Sequence, residues 1–592
     1  MTPDVLSGSF MSCMPSVARL PFLRAWTGHA GHPAAVSRPG EGAAGSRHAV
    51  SSPASAVSVT VLPWALPGKG RSFRRRVAGG WPLLAVLAVQ AALSLRLLRA
   101  DTASQSEAQY LIAGHLEWAH WLHGVPIPAF PSYFSGAPVI YPPVAAAADS
   151  IGGLAGARVL SLAFMLGATV LLWGATARLF GRRASFFAAA LFAVLGTTVH
   201  LGAFATYDAM SVFLVALAAW CVIRAGAREP ATRWMVAAAA ALALADAAAY
   251  TCLLFDPLIA ALALLTAPRA GAGAGRLAAR RAGTVLAATA ALLAAGLGAG
   301  GSSYLGGFER TMLTRAPGSA SPLAVLGQSW SWAGLVLVLA VSGVVLSCAS
   351  RPGPEQPWLL GFLSAALVIG PLEQAHLHTA AALNQHVGLG AWFAAIAAGY
   401  TADRFMAASP PGRGRGVTCA ACVIALTFPA ALGITQSRSF SSSWPNAKSF
   451  ISIFTPLADH STGPLLVEDP SVAEYYSAAG AQWQRWSSTR NITRPAGIST
   501  GGPAASASVT SAGNGFVYAR YIAEGYFSLV ALNYTDTTGL DRQITADLRR
   551  NHHYHIIQVV PYGTEIPPIG IGDYVIWQYQ ASTRQTGYTP DH

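Results

Sequence analysis

The sequence predicts a mostly α-helical, polytopic membrane protein with about eleven transmembrane helices and a C-terminal α/β domain. Three observations lead to this fold class. Of the 592 residues, 53% are apolar and only 11% are charged. Many apolar residues come in runs close to the roughly twenty that a helix needs to cross the hydrocarbon core of a bilayer. From about residue 436 these runs stop, and polar segments alternate with short strand-like patterns.

The candidate membrane helices lie between residues 79 and 435, which we take as one transmembrane domain. Their approximate ranges are 80–98, 156–177, 184–203, 209–224, 233–249, 252–267, 282–300, 323–348, 357–372, 387–402 and 416–435. The fifth and sixth are short, and the stretch "AAAYTCLLFDP" near their junction predicts a broken or re-entrant turn.

The distribution of basic residues orients these helices. Clusters such as "GKGRSFRRR", "RLFGRR" and "DRFMAASPPGRGRG" fall in every second loop, and the intervening loops are nearly free of Lys and Arg. Because basic loops stay on the cytoplasmic side, we predict a cytoplasmic N-terminus and an extracytoplasmic C-terminus in a multi-pass plasma-membrane protein. Arg310 and Arg315 break the pattern, in a loop predicted to lie outside.

Composition argues against several other classes of protein. The net charge of +13 does not indicate nucleic-acid binding, because the basic residues are spread among apolar runs rather than gathered on one face. Cys419 and Cys422 stand in an apolar segment without further ligands, so we interpret them as core residues. Residues 1–78 are rich in Gly, Pro, Ser and Ala without periodicity, which predicts a disordered cytoplasmic tail.

A long loop, residues 101–157, follows the first membrane helix on the predicted outer side. It begins with "QSEAQYLIAGHLEWAHWLHG", in which Leu111, His115, Trp118 and Leu122 recur at helical spacing. This pattern predicts an amphipathic helix that lies along the outer membrane interface. The prolines in "GVPIPAFP" and "VIYPP" end this helix and redirect the chain.

An outer loop with an acid, an interfacial helix and a Tyr-Pro-Pro motif resembles the GT-C superfamily of membrane glycosyltransferases. The closer likeness is to family 39, the protein mannosyltransferases and aminoarabinose transferases, in an actinobacterial-type member. It is carried by "SEAQYLIAGHLEWAHWLHG", "YFSGAPVIYPPVAA", "RVLSLAFMLGATVLLWGATARLFGRRASFFAA", "FATYDAM", "LLFDP", "EQAHLHTAAALNQHVGLGAWFAA" and "LLVEDPSVAEYY". The resemblance implies transfer of a sugar from a polyprenyl-phosphate donor to an extracytoplasmic acceptor, which is a protein, a lipid or a cell-wall glycan.

This reaction needs a carboxylate beside the reacting sugar. In such enzymes the first outer loop begins with an Asp-Glu pair, and the matching positions here are Ser106 and Glu107. Glu107 is therefore the candidate acid of this loop. Asp208, at the outer end of the third predicted helix, is the second catalytic candidate, with helix capping as its alternative role.

The reaction also needs cationic groups that offset the departing phosphate. Arg158, Arg310 and Arg315 are the candidates, because a guanidinium group pairs two phosphate oxygens. Family members often carry a basic residue just before the Pro-Pro motif, where this sequence has Tyr141. We expect Tyr141 to line the donor groove.

The outer segment "EQAHLHTAAALNQH" brings together Glu373, His376, His378 and His386. We predict substrate binding for the first three. Glu373 and His376 could share one helical face and hold a divalent cation. Hydrogen bonding to phosphate and plain solvation are the alternatives, so the metal and any cofactor stay undetermined.

Residues 436–592 are predicted to form the extracytoplasmic α/β domain. "GPLLVEDP", "HYHIIQVVPYG" and "DYVIWQYQ" have strand patterns, and "SVAEYYSAAG" suits a short helix. A stretch rich in Gly, Ser and Ala at about 496–515 predicts a flexible insert.

Two other functions compete with catalysis. The absence of an aspartate at Ser106 and of a basic residue before Pro142 favours a silent relative that binds a lipid-linked glycan or a partner. A transporter would need ionisable residues at the membrane midplane and related helix repeats. Asp246 fits the first requirement, but no convincing repeat is present.

Overall fold

The computed structural model describes residues 80–226, 231–268, 273–350, 355–408, 413–489, 515–535, 537–562 and 572–580. The predicted tail at 1–78 and almost all of the predicted insert at 496–515 lie outside these ranges.

Up to Ser441 the described chain is almost entirely helical. Its helices are α1 (Trp81–Leu95), α2 (Gln105–His123), α3 (Tyr141–Leu179), α4 (Arg182–Val194), α5 (Gly196–Leu201), α6 (Tyr207–Ala225), α7 (Thr232–Ala248), α8 (Asp256–Leu265), α9 (Ala274–Gly300), α10 (Ser302–Met312), α11 (Pro322–Ala349), α12 (Glu355–His376), α13 (Leu383–Ala408) and α14 (Arg413–Ser441). Five helices in the described part, α3, α6, α9, α11 and α12, are long and apolar enough to cross a membrane. The chain is thus a mostly helical integral membrane protein, and about eleven spans remain a prediction.

Helix α3 begins earlier than the sequence predicted. Pro142 and Pro143 occupy its first turn, where a missing N–H and a fixed φ favour a helix start. The helical run then bends at Gly153, whose φ of 60° and ψ of −160° suit glycine. The segment before the bend therefore ends the outer loop, and the segment after it enters the bundle.

Helix α2 is the helix predicted at the start of the outer loop. Its N-terminus has a capping box, in which the Ser104 hydroxyl accepts from the Glu107 amide and the Glu107 carboxylate accepts from the Ser104 amide. A Cβ at Gly114 would lie 2.0 Å from the carbonyl oxygen of Pro142, so only glycine allows this approach of α2 to α3. The Trp118 indole adds a hydrogen bond of 2.9 Å to the Pro143 carbonyl.

A buried ion pair holds the outer loop on the bundle. Arg158 donates to both carboxylate oxygens of Glu107, from Nε and Nη2, each at 2.7 Å. Arg158 Nη1 and Nη2 also donate hydrogen bonds to the carbonyls of Leu98, Asp101 and Thr102 at 2.8–3.2 Å. Glu107 is fully buried and Arg158 is 1% exposed, so water does not screen the pair.

After Ser441 the chain forms a five-stranded sheet with helices on both faces. The helices are α15 (Lys448–His460), α16 (Ser471–Tyr476), α17 (Gly515–Ala523) and α18 (Thr538–Arg550), and the strands are β1 (Leu465–Val467), β2 (Trp486–Ser488), β3 (Leu529–Leu532), β4 (Tyr554–Tyr562) and β5 (Gly572–Tyr579). The strand order is β2-β1-β3-β5-β4. The β1 pairs with β2 and β3 are parallel, and the β5 pairs with β3 and β4 are antiparallel. Aromatic clusters fill both faces.

This C-terminal part is hydrogen-bonded to the first outer loop at several points. The contacts are Ala447 N to Thr102 Oγ1 (3.0 Å), Trp444 Nε1 to Thr102 O (3.1 Å), Ala103 N to Tyr476 Oη (3.0 Å), Gln109 Nε2 to Ser471 Oγ (3.2 Å) and Tyr475 Oη to Asp149 Oδ1 (2.6 Å). The sheet and its helices therefore sit over the loop that contains Glu107.

Replacing Arg158 with methionine should destabilise the fold by about 3–5 kcal/mol, because Glu107 would then keep an uncompensated charge in the interior. Thermal or urea unfolding in detergent micelles measures this loss. The matched control is Arg183→Met, since the half-exposed pair of Arg183 and Asp403 should contribute at most about 1 kcal/mol. Equal, small losses in both variants would contradict the structural role of the buried pair.

Candidate functional site

Asp208 faces a small cavity at one end of the helical bundle. It is the second residue of α6, and its Oδ2 accepts a hydrogen bond of 2.6 Å from the Thr206 hydroxyl. The cavity is lined by Asp208, Ser211, Val212, Ala249, Thr251, Cys252, Phe255, Gln385, His386 and Leu389. The helix-cap alternative is wrong, because α6 begins at Tyr207 and Thr206 is its N-cap residue. The carboxylate is thus free to act within the cavity, near the positive end of the helix dipole.

A chain of ionisable side chains continues from the cavity wall. His386 Nδ1 lies 3.4 Å from Glu373 Oε2, and Arg315 Nη1 lies 3.8 Å from Glu373 Oε1. Gln374 donates to Glu373 Oε2 at 2.8 Å and so fixes that carboxylate. His386, which lines the Asp208 cavity, thereby connects it to Glu373 and Arg315.

The backbone around Arg315 explains why these residues meet. The amides of Gly318 and Ala320 donate to the carbonyls of Leu377 and His378 at 2.8 and 2.7 Å, which ties the loop after α10 to the turn after α12. In that turn His378 has a φ of 51° and Ala382 a φ of 60°. Side chains other than glycine adopt this left-handed region at a cost, and such positions cluster at functional sites.

Glu107 and Arg158 have no free hydrogen-bonding groups to offer to this cavity. The two carboxylate oxygens of Glu107 accept four hydrogen bonds, from Ser104 N, Arg158 Nε, Arg158 Nη2 and Ala205 N. Arg158 is committed to Glu107 and to three carbonyls. The geometry favours a positioning role for both over the predicted roles in catalysis and phosphate binding, because substrate contact would break a buried pair.

Tyr141 is fully buried and packs in the same hydrophobic cluster as Tyr207, the residue before Asp208. Its ring makes an edge contact with Tyr110 at 6.2 Å, and Tyr110 makes another with Tyr207 at 5.1 Å. Tyr141, Tyr110 and Tyr207 thus form a row of aromatic rings that ends at the residue before Asp208.

The remaining predicted site residues lie at the surface. Arg310 and His376 are exposed, and His378 is exposed with its Nδ1 3.2 Å from the Ala320 carbonyl. The partner of Glu373 is His386 rather than His376, so the shared helical face predicted for Glu373 and His376 does not form a pair. Within the described ranges no three His, Cys, Asp or Glu side chains are grouped so that they could hold a metal ion.

The sequence analysis named His386 in the outer segment but could not relate it to Glu373, because the turn that separates α12 from α13 lies between them. Glu474 in α16 escaped the sequence prediction. Burial, and then the neighbouring charge of Asp469, raise the pKa of Glu474 to about 8. Nothing in the local sequence distinguishes Glu474 from a surface acid.

The comparisons with known proteins agree with this architecture. A family model described as dolichyl-phosphate-mannose-protein mannosyltransferase matches residues 150–295. No curated protein matches the chain by sequence.

Two solved structures have the same fold along most of their length. ArnT from Cupriavidus metallidurans bound to undecaprenyl phosphate has a TM-score of 0.55 and 15% identity, over 85% of this chain and 99% of that one. The archaeal oligosaccharyltransferase AglB from Archaeoglobus fulgidus, in complex with an inhibitory peptide and a dolichol-phosphate, has a TM-score of 0.51 and 11% identity, over 88% and 76%. The matched family and both neighbours are GT-C glycosyltransferases, so the predicted resemblance is confirmed and this chain has the GT-C fold.

Proposed function

We propose that this protein is a membrane glycosyltransferase that moves a sugar from a polyprenyl-phosphate donor to an extracytoplasmic acceptor. The observation that carries the proposal is the Asp208 cavity, whose lining residue His386 is linked through Glu373 to Arg315. It combines an acid for the reacting sugar with a cation for the leaving phosphate. The lipid phosphates bound to the ArnT and AglB neighbours support the choice of donor.

In this proposal Asp208 is the catalytic acid-base group. The acceptor oxygen bonds to the anomeric carbon of the sugar while the bond from that carbon to the phosphate oxygen breaks. The proton of the acceptor hydroxyl passes to the Asp208 carboxylate, which also stabilises the positive charge that develops on the ring. Thr206 orients the carboxylate through its hydrogen bond. Polyprenyl phosphate leaves as the second product.

The cationic side of the site is assigned to Arg315, with Arg310 nearby in the chain. Arg315 is about one third exposed, and its contact with Glu373 is long at 3.8 Å, so its guanidinium keeps donors for a phosphate. It replaces Arg158, whose donors are engaged elsewhere. His386 lines the Asp208 cavity and contacts Glu373, so it lies between the acid and the cationic side of the site.

Contacts between loops support the predicted membrane orientation. A Cβ at Gly307 would lie 1.9 Å from the Pro131 carbonyl, and the Ala205 amide bonds Glu107 at 2.8 Å, so loops predicted to lie outside meet one another. Arg183 and Asp403, from two loops predicted to be cytoplasmic, form an ion pair at 2.9 Å. We therefore assign the site and the C-terminal sheet to the extracytoplasmic side.

The second candidate function is a silent relative that binds a lipid-linked glycan. It is favoured by Ser106, which is exposed at the position where the family has its leading aspartate, and by the engagement of Glu107. The transporter alternative loses its support. Asp246 lies two residues before the end of α7, where Ala137 of the outer loop donates to Ala247 O at 2.7 Å, so this acid is near the outer surface and not at the midplane.

Asp208→Asn should reduce transfer at least 100-fold, because an amide cannot take the acceptor proton. The assay supplies radiolabelled polyprenyl-phosphate sugars to the full-length protein in reconstituted membranes. Asp403→Asn is the matched control, since Asp403 pairs with Arg183 far from the cavity and should leave transfer intact. Full activity in Asp208→Asn would refute the role of Asp208.

Arg315→Ala should weaken the binding of undecaprenyl phosphate about tenfold or more, because a charge-assisted contact with the phosphate is lost. Equilibrium binding of the radiolabelled lipid phosphate to protein in nanodiscs measures this directly and does not depend on turnover. Arg183→Ala is the control for a lost surface arginine. Equal affinities in all three proteins would remove Arg315 from the phosphate site.

Ser106→Asp separates the two candidate functions. An active transferase with Asp208 as its acid should transfer sugar without this substitution, and the added aspartate should change its rate less than tenfold. Wild type that binds donor but transfers nothing, together with turnover in Ser106→Asp, would identify a silent relative. The measurement is the same transfer assay, run on both proteins with the same panel of donors.

A further inference from the structure

Three arginines and two tryptophans stack on one another at the end of the helical bundle that lies away from the proposed active site. The guanidinium carbon of Arg224 is 5.0 Å from the ring centroid of Trp220 and 4.6 Å from that of Trp234. Arg178 is 5.2 Å from the Trp220 centroid, and Arg233 is 5.4 Å from the Trp234 centroid. The two indole rings meet edge to face at 5.5 Å. This arginine–tryptophan cluster therefore gathers three positive charges around two aromatic rings.

The cluster lies at the membrane interface opposite the Asp208 cavity. Arg178 and Arg224 belong to the last turns of α3 and α6, and Arg233 belongs to the first turn of α7. Asp208 begins the same helix that Arg224 ends, so about 24 Å of helix separates the two side chains. This length is close to the roughly 30 Å thickness of the hydrocarbon core. With the cavity assigned to the outer side, the cluster lies at the cytoplasmic interface.

Helix ends account for two of these arginines but not for the third. Arg178 Nη1 donates to the Gly174 carbonyl at 3.0 Å, and a cation in the last turn of a helix is stabilised by the helix dipole. Arg233 stands at the opposite end of a helix, where the dipole is already positive. Ala231, which precedes α7, provides no side-chain cap for the first amides. The start of α7 therefore combines unmatched amide donors with an arginine, an arrangement that binds anions.

Two donors of the cluster have no hydrogen-bond partner among the described residues. They are the Nε of Arg224 and the indole Nε1 of Trp234, and both atoms are buried. Within the described ranges no ion pair joins Arg224 or Arg233 to an acid. Buried donors without a partner are costly, so their presence indicates a ligand that supplies acceptor oxygens. An arginine that only snorkels would keep its donors in water.

The phosphate of a membrane lipid matches each of these features. Its oxygens are negatively charged acceptors for guanidinium groups, for an indole N–H and for the amides at a helix start. Val236, one turn after Arg233 on the same side of α7, is 56% exposed and offers an apolar surface to acyl chains. A soluble anion would gain nothing from that surface. Position and chemistry together favour a phospholipid of the adjacent leaflet.

We propose that the arginine–tryptophan cluster binds the phosphate headgroup of an anionic phospholipid in the leaflet opposite the Asp208 cavity. Arg224, Arg233 and Trp234 donate to the phosphate oxygens, and Arg178 adds positive charge beside them. The bound lipid joins the end of α6 to the start of α7 at the membrane surface. This site is separate from the proposed donor site and requires neither donor nor transfer.

The test is native mass spectrometry of the full-length protein in detergent micelles, titrated in parallel with phosphatidylglycerol and phosphatidylcholine. Wild type should bind phosphatidylglycerol at least fivefold more tightly, because choline offsets the phosphate charge of the other lipid. Arg224→Gln together with Arg233→Gln should abolish this preference, since two charge-assisted contacts are lost. Arg182→Gln together with Arg276→Gln is the matched control. It removes two exposed arginines on the same predicted side and should bind like wild type.

Trp234→Phe tests the site without removing a charge or the aromatic stack. It deletes only the indole N–H, and it should weaken phosphatidylglycerol binding at least twofold. This variant decides the question if the double arginine variant does not fold. Millimolar glycerol 3-phosphate, a phosphate without acyl chains, should not displace the lipid. Displacement by it, an equal loss in the control, or wild-type lipid preference in Arg224→Gln with Arg233→Gln would overturn the lipid site.

Discussion

The position of the whole outer site depends on the ion pair of Glu107 and Arg158. The Glu107 carboxylate accepts hydrogen bonds from the start of α2, from the bundle helix α3 and from the turn at Ala205 that leads into α6. The Arg158 guanidinium also donates to three carbonyls of the segment that connects α1 to α2. Since Ala205 stands three residues before Asp208, the pair also fixes where the cavity acid begins its helix. Its low exposure makes the arrangement stiff, because any rearrangement leaves a buried charge without its partner.

This constraint decides which groups remain for chemistry. An acid with both oxygens occupied and an arginine with its donors occupied cannot also meet a substrate without loss of the fold. In the proposed mechanism the acid is therefore Asp208, which accepts a hydrogen bond from one hydroxyl, and the cation is Arg315, which makes one long contact with Glu373. In this proposal the fully hydrogen-bonded pair of Glu107 and Arg158 positions the site. Asp208 and Arg315, which have fewer contacts, are the groups that meet the substrate.

The sequence predicted the parts of this structure that local patterns control. Long apolar runs predicted helices, and the spacing in "QSEAQYLIAGHLEWAHWLHG" predicted α2 within the outer loop. Arg315 and Glu373 were both selected as site residues. Their contact was not foreseen, because 58 positions separate them and only the hydrogen bonds between the loop after α10 and the turn after α12 bring them together. Glu107 was selected as a catalytic acid because sequence spacing cannot reveal that Arg158, 51 residues later, occupies both its oxygens. His386 was named in the outer segment, but its contact with Glu373 was not foreseen, because the turn between α12 and α13 breaks the helical periodicity.

The start of α2 shows how charge is arranged around the buried pair. Ser106 stands exposed in the first turn of α2, where the family pattern has an aspartate. A serine at this position removes a negative charge next to Glu107 and so leaves the Arg158 pair as the only strong charge interaction at that end of α2 in the described structure. The helix start is therefore held by its capping box and by the buried pair, and the acid assigned to the chemistry lies outside this helix, at Asp208.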